Sequence, residues 1–440
     1  MPTLPLELTD RIIDCLHHHG DPTTLSACAL VASSWAATAR YHRFARTSVT
    51  CHELVAYLAL LDCSPEAGRR VRRLTVTSVQ DCACHRAIEV ETLLCASPNH
   101  DPALMPQIFA RMPALTELHV VRMPLLMFID SIPSTVTKLL LRDVRFPRVA
   151  HAVQAFRLPT ISSLLIIHPF VADRDSASEV TTNIQPIPDP VSFTEFGLWA
   201  YDGVTTTACK WLATQGVGRR LRSLAVYLFD TDMLGAYAPL FRTLGPSLTH
   251  LEVMIQPWTN IDSDSEHTAP VDWALENCTN LKHIRVLNYI SWTMIPMDKA
   301  LVFLRNLRSP SVSSLTFVLD VSRFAEGSTR LGGIEWVNSA LELLSEDTYK
   351  RVRRVAWELH HRDKPESMGG TTLSELAKAA AVAITKKWEG HHKPGVEFTI
   401  TRVAEPSVPC AWDDGKIHPL GAETIVTYTH DDRHCRWHLT

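Results

Sequence analysis

The 440-residue sequence predicts an α/β protein in three parts: a small three-helix unit over residues 1–46, an irregular strand-and-helix solenoid over 47–370, and a helix-and-strand cap over 371–440. Three observations carry this expectation. Apolar residues near the N-terminus recur at helical spacing between proline and glycine stops. A seven-residue apolar pattern then returns ten times along the chain. Between successive copies lie segments of helical periodicity, so strand and helix alternate, the order that builds a parallel sheet.

The first predicted helix runs from Leu4 to Leu16, with Pro5 in its first turn, Glu7 against the positive end of the helix dipole and Gly20 as its stop. Leu4, Leu8, Ile12 and Leu16 recur every four residues, and Ile13 widens the stripe. Because the helical period is 3.6, such a stripe drifts around the helix and can touch two surfaces. Asp21 and Pro22 supply a cap and a first-turn proline for a second helix carrying Leu25, Cys28 and Ala29. Ser33 is expected to cap a third, which carries Trp35 and Ala39, and Phe44 closes the unit. Below roughly 40 residues a lone chain needs a disulfide, a metal or a partner. This unit barely exceeds that size and offers only Cys15 and Cys28. Leu8, Ile12, Ile13, Leu30, Val31 and Trp35 are therefore expected to complete their burial against a second chain.

The string Leu4-Pro5-x-Glu7-Leu8, then Ile12-Ile13-x-x-Leu16, Leu25 and Ala29-Leu30-Val31-x-x-x-Trp35 resembles an F-box of the form common among fungal proteins, over about a tenth of the chain. The resemblance implies a module without an active site that binds the Skp adaptor of a Skp/cullin/F-box ubiquitin ligase, while the rest of the chain recognises the protein to be ubiquitinated. It places adaptor contact on Leu4, Pro5, Leu8, Ile12, Ile13, Leu16, Leu30, Val31 and Trp35. Two departures are Ala32, where many relatives carry a cysteine, and His17-His18-His19 at the exit of the first helix. Neither removes an apolar anchor.

The body repeats the order apolar, two variable, apolar, one variable, apolar, one variable. Copies begin at Val71, Leu115, Val136, Ile161, Phe193, Leu221, Leu248, Leu281, Val312 and Val352. Second anchors are Leu74, Leu118, Leu139, Leu164, Phe196, Leu224, Leu251, Ile284, Leu315 and Val355. Third anchors are Val76, Val120, Leu141, Ile166, Leu198, Val226, Val253, Val286, Phe317 and Trp357. Alternation at the second and third anchors marks a strand with one buried face. Helices are expected within 103–112, 148–156, 206–215, 232–244, 271–278, 298–307 and 334–344. Pro113, Pro133, Pro159, Pro246 and Pro310 stand where they would stop the preceding helix.

Intervals of 21 to 33 residues through the middle of this array are close to those of leucine-rich repeats. From Val71 to Glu358 the chain resembles the leucine-rich-repeat half of F-box proteins. The resemblance implies a horseshoe whose strands stack side by side within and whose helices lie outside. The ninth position, where typical repeats place asparagine, holds Val79, Met123, Val144, Pro169, Tyr201, Phe229, Gln256, Tyr289, Asp320 and His360, so no asparagine ladder can form and looser turns are expected. Residues 172–190 and 259–270 read as surface excursions. A helix from Leu373 to Trp388 and strands at 396–402 and 425–430 make up the cap.

Composition narrows the function. Apolar residues at 46% and charged residues at 20% suit a folded protein, and a formal charge of −4 provides no basic face for nucleic acid. The chain opens without a charged segment leading into an apolar one, and no apolar run approaches membrane-span length. Eleven scattered cysteines agree with a reducing compartment, so the expectation is an intracellular protein, cytoplasmic or nuclear, without disulfides. Cys82-Ala83-Cys84-His85 with Cys95 and His100, and the group His430, His434, Cys435 and His438, carry metal-ligand chemistry at spacings that fit no strong zinc pattern, so no metal and no cofactor is expected. Nucleophile-elbow, phosphate-loop, zinc-protease and dinucleotide fingerprints are missing, and an enzyme is not expected.

Residues flanking the second and third anchors would face the inner surface of the array. His119, Lys138, Arg142, Trp199, Tyr227, Glu252, Met254, Arg285 and Glu358 provide the mixed aromatic and charged chemistry of protein interfaces. Arg142, Trp199, Tyr227, Glu252, Arg285 and Glu358 are the candidates for target contact. The expected role is a substrate receptor that reaches a cullin ligase through the adaptor and binds a protein target of unknown identity. The alternative is a scaffold whose repeat surface binds a partner without any ligase.

Overall fold

A computed structural model describes residues 12–13, 22–78, 103–123, 129–148, 152, 155–156, 158–173, 193–199, 203–228, 237–255, 275–288, 304, 311–320, 340–344, 349–362, 380–382, 384–388, 396–405, 411–413, 416–418, 422–428 and 438–439. The chain divides into two compact units, Met1–Trp211 and Leu212–Thr440.

The first unit opens with helices at Pro22–Val31 and Ser33–Ala45. Pro22 holds the first helical position, where its missing N–H costs nothing. Of the first predicted helix, Ile12 and Ile13 are described and helical. Ser33 is not the cap of the third helix. It is the first helical residue, and extended Ala32 precedes it, with its carbonyl accepting the N–H groups of Trp35 and Ala36. Ile13, Leu25, Cys28 and Ala39 form a small buried cluster, with Ala29 and Trp35 packed against it.

Strands β1 (Arg46–Thr50), β2 (Arg73–Thr77), β3 (Glu117–Val121), β4 (Lys138–Arg142), β6 (Ser163–Ile167) and β8 (Glu195–Trp199) lie parallel, each beside the next in that order. The register follows the repeat pattern, so that Leu74, Leu118, Leu139, Leu164 and Phe196 form one row and Val76, Val120, Leu141, Ile166 and Leu198 the next. All of them are buried, as are the first anchors that precede each strand. Phe156 stacks on Trp211 at 5.5 Å and meets Phe196 edge-on at 6.0 Å behind these rows. Two short strands, β5 (Arg145–Arg148) and β7 (Phe170–Asp173), follow β4 and β6 around a corner and pair as a separate small sheet.

In the second unit β9 (Ser223–Leu228), β10 (His250–Ile255), β11 (His283–Asn288), β12 (Ser314–Asp320), β13 (Arg354–Arg362) and β14 (Glu397–Glu405) continue the same parallel scheme. Leu224, Leu251, Ile284, Leu315, Val355 and Phe398 align in one row. Beyond a small hairpin of β15 (Ala411–Asp413) and β16 (Lys416–His418), β17 (Ala422–Tyr428) and β18 (His438–Leu439) pair antiparallel, β17 against β14. Phe317 stacks on its register partner Trp357 at 4.7 Å, and helical Trp388 stacks on Phe398 of β14 at 4.5 Å.

In each unit the parallel strands go beyond the expected copies: in the first β1 precedes them, and in the second β14, which takes in the expected 396–402 strand from Glu397 onward, follows them before antiparallel β17. Helix lengths also differ. The 203–214 segment is a full helix, while of the expected 271–278 helix the described residues begin at Leu275, and Leu275–Asn277 form a single 3-10 turn. Turns in both units are tied together mainly by hydroxyls, and Asn280 adds one such bond, its Nδ2 donating to the Pro246 carbonyl at 2.9 Å. Thr116, Thr137, Ser162 and Thr194 each donate to the carbonyl one turn back, as do Thr249 and Ser313. On the other side of the first anchor Thr160, Ser247 and Ser311 donate to the carbonyls of Val136, Leu221 and Leu281. Backbone N–H groups reinforce the first ladder, Thr116 and Glu117 both donating to the Arg72 carbonyl.

Candidate functional site

Two surfaces merit attention, the N-terminal helices and the polar face of the parallel strands. On the helices, Leu30 is 88% exposed, Val31 67% and Ile12 42%, with Tyr41 also at the surface. Among the described residues they adjoin a cluster of Ile13, Leu25, Cys28 and Ala39, and an all-apolar stretch such as Ala27-Cys28-Ala29-Leu30-Val31 cannot place every side chain on one side of a helix. Of the expected contact residues, Ile13 is fully buried in this core and Trp35 is half-buried against it, so both hold the surface in place from beneath. Leu4, Pro5, Leu8 and Leu16 lie outside the described residues.

On the strand face the six expected target-contact residues fall into different settings. Glu252, Arg285 and Glu358 come together. One Arg285 guanidinium nitrogen donates to Glu252 Oε2 at 2.6 Å and the other to Glu358 Oε2 at 2.6 Å. All three side chains are at least four-fifths buried. Glu252 and Arg285 are direct register partners, and Arg285 reaches past β12 to β13 for its second carboxylate. Beside them His250 and His283, also register partners, stack at 4.4 Å, with Thr249 Oγ1 2.8 Å from His250 Nδ1. Trp199 ends β8 with its side chain partly exposed, and Tyr227 lies on β9 in register with Met254.

Arg142 belongs to a second cluster, at the C-terminal ends of β3, β4 and β6. Its Nε lies 3.6 Å from Asp143 Oδ2, and so does Arg122 Nε, while His168 Nδ1 lies 3.6 Å from Oδ1. Partial burial pushes the Asp143 carboxyl up, but the His168 hydrogen bond and the charges of Arg142, His168 and Arg122 outweigh it and hold the group below its usual range. Further along the same face Glu117 receives Arg73 and, at 3.7 Å, Lys138. His119 sits among these groups, and burial, then the charges of Arg73, Arg46 and Lys138, depress its imidazole to about 3, so it is neutral at physiological pH.

Much of the same face is closed. Leu140, Leu165, Ile167, Ala225, Met254, Leu287 and Val318 are buried although they point away from the anchor rows. Parallel strands with both faces covered have this character, and their polar exceptions mark where the sheet meets charge. Among the described residues no group of His, Cys, Asp and Glu is placed to hold a metal, and no helix is long and apolar enough to cross a membrane. Cys82, Cys84, His85, Cys95, His100, His430, His434 and Cys435 lie outside the described residues. His250 and His283 were not singled out in the sequence, although their signal, a histidine just before the second anchor in two successive copies, is present. Compared with protein families and with curated proteins, the chain gives no match.

Proposed function

We propose that this protein is a substrate receptor of a Skp/cullin/F-box ubiquitin ligase, acting in the cytoplasm or nucleus. Helices Pro22–Val31 and Ser33–Ala45 dock on the Skp adaptor, and the repeat region, read as a leucine-rich-repeat-like solenoid, presents a target protein. It catalyses nothing itself. The observation that carries the reading is the exposure of Ile12, Leu30 and Val31 beside the buried cluster of Ile13, Leu25, Cys28 and Ala39. Burying what remains exposed of these three side chains against a partner stabilises a complex by roughly 4 kcal/mol before the costs of association, because a full contribution of about 1.5–3 kcal/mol each scales with the exposed fraction. The aligned and buried anchor rows support the solenoid half of the reading.

Co-expression with a Skp adaptor tests it. The full chain is expected to co-purify with the adaptor as a stable complex. Leu30→Glu combined with Val31→Glu is expected to weaken binding at least 100-fold while circular dichroism and melting temperature stay unchanged, because both side chains are at the surface. Absence of a complex with the wild-type chain, or a complex indifferent to the double substitution, overturns the ligase reading and leaves a scaffold without a ligase.

A further inference from the structure

The corner between the large and small sheets of the first unit carries an unusual column of residues. Arg122, Asp143 and His168 occupy the same step of three successive repeats, two positions after the third anchors Val120, Leu141 and Ile166. All three have positive φ, at 58°, 51° and 47°, and they are the only described non-glycine residues that do. Asp143 turns the chain from β4 into β5, and His168 turns it from β6 into β7. Their N–H groups continue the ladder, donating to the carbonyls of Arg142, Ile167 and Trp199 in turn. The side chains thus leave adjacent strands side by side, about 4.8 Å apart.

Glycine or asparagine adopts this backbone most easily; aspartate and histidine tolerate it, and arginine is disfavoured. Charged side chains stand here despite the conformation, and backbone of this kind clusters where side chains meet ligands. The charges do not balance. Arg122 and Arg142 share the single carboxylate of Asp143, each at the loose distance of 3.6 Å, and His168 shares it too. Glu117, at the other end of β3, is engaged by Arg73 and Lys138. Two planar guanidinium groups, about one-third exposed, are left facing outward with donor capacity that one carboxylate cannot fill.

We propose that this corner is an anion-binding site that receives a carboxylate or phosphate group from an acidic segment of a partner protein. A protein segment fits better than nucleic acid, because two or three cations at one point cannot follow a phosphate backbone and the chain as a whole carries a net charge of −4. The site goes beyond adaptor docking and does not depend on it, since it lies on the repeats rather than on the N-terminal helices.

Fluorescence polarisation on the full chain tests this with three labelled decapeptides: glutamate-rich, the same with one phosphoserine, and glutamine-rich. Both acidic peptides are expected to bind at least tenfold tighter than the glutamine peptide, with affinity falling as salt rises; whichever of the two binds tighter identifies carboxylate or phosphate as the preferred group. Arg142→Gln and Arg122→Gly are expected to weaken acidic-peptide binding about tenfold each, and glycine at 122 suits the backbone, so a loss there is not a folding defect. Asp143→Asn, which frees both guanidinium groups and retains a residue suited to positive φ, is expected to tighten binding severalfold, a gain that structural damage does not produce. Equal binding of all three peptides, unchanged affinity in the arginine variants, weaker binding in Asp143→Asn, or tighter binding of a single-stranded oligonucleotide than of either acidic peptide overturns the proposal.

Discussion

Removing Arg285 should destabilise the second unit far more than removing either of its partners. The side chains of Glu252, Arg285 and Glu358 are 9%, 13% and 16% exposed, and both contacts are 2.6 Å. Arg285→Ala leaves two carboxylates on one sheet face with no cation between them, and breaking a buried ion pair from one side costs about 3–5 kcal/mol. Glu358→Gln is different: the amide oxygen still accepts from the guanidinium and Arg285 keeps Glu252, so the loss is that of one charge-assisted contact exchanged for a neutral one, about 1 kcal/mol. The triple replacement Glu252→Leu, Arg285→Met, Glu358→Leu removes the desolvated charges together and should fall within about 1 kcal/mol of wild type. Urea unfolding followed by circular dichroism measures all three, and for a unit of this size the Arg285→Ala loss corresponds to a melting temperature lower by roughly 10 °C. If Arg285→Ala costs no more than Glu358→Gln, the three groups do not act as one buried unit and the reasoning fails.

Acid should weaken the first unit through His119. Its folded value near 3 lies below the unfolded value of 6.5, so stability is complete above pH 6.5 and is lost progressively as pH falls toward 3, because only the unfolded chain takes up the proton. The loss at pH 5 amounts to about 2 kcal/mol, and His119→Gln should flatten the dependence of the urea midpoint between pH 7 and pH 5. Two glycines should resist side chains: a Cβ on Gly68 would lie 2.3 Å from the Arg111 carbonyl oxygen, and one on Gly218 2.1 Å from Thr243 Oγ1 and 2.8 Å from its backbone. Gly68→Ala and Gly218→Ala should each cost about 1–3 kcal/mol by calorimetry. Gly216→Ala, at φ 65° but in open space, should cost only about 1 kcal/mol.

The anchor rows were legible because period-two alternation and burial are the same fact seen twice: Leu139 and Leu141 point one way, and a one-residue slip would expose both. Strand β1 was hidden by its chemistry. Thr47 and Val49 take the positions of Leu74 and Val76, and a hydroxyl residue at the first of them breaks the apolar pattern. The ninth position holds no asparagine and predicts looser turns, while the polar signal lies beside the first anchor, where Ser247 and Thr249, then Ser311 and Ser313, bracket Leu248 and Val312. Glu252, Arg285 and Glu358 were each identifiable as face residues, but contacts 33 and 73 residues apart follow only from register. The two close-packed glycines share a string too, Gly-Arg-Arg-Val-Arg-Arg-Leu at 68–74 and Gly-Arg-Arg-Leu-Arg-Ser-Leu at 218–224, readable only once Gly68 and Gly218 are seen pressed against the next turn.

Ser and Thr hydroxyls at six strand starts bond those turns to the preceding one, upstream of the segments whose lengths vary. Segments between rungs can lengthen or shorten without disturbing alignment, much as floors of a building may differ in plan while sharing one stairwell. Diversification of such a protein is then expected to proceed by drift in the spans that hang from this spine, while the spine position itself alternates between a hydroxyl and, at Arg72, Arg222, Lys282 and Arg353, a long cation.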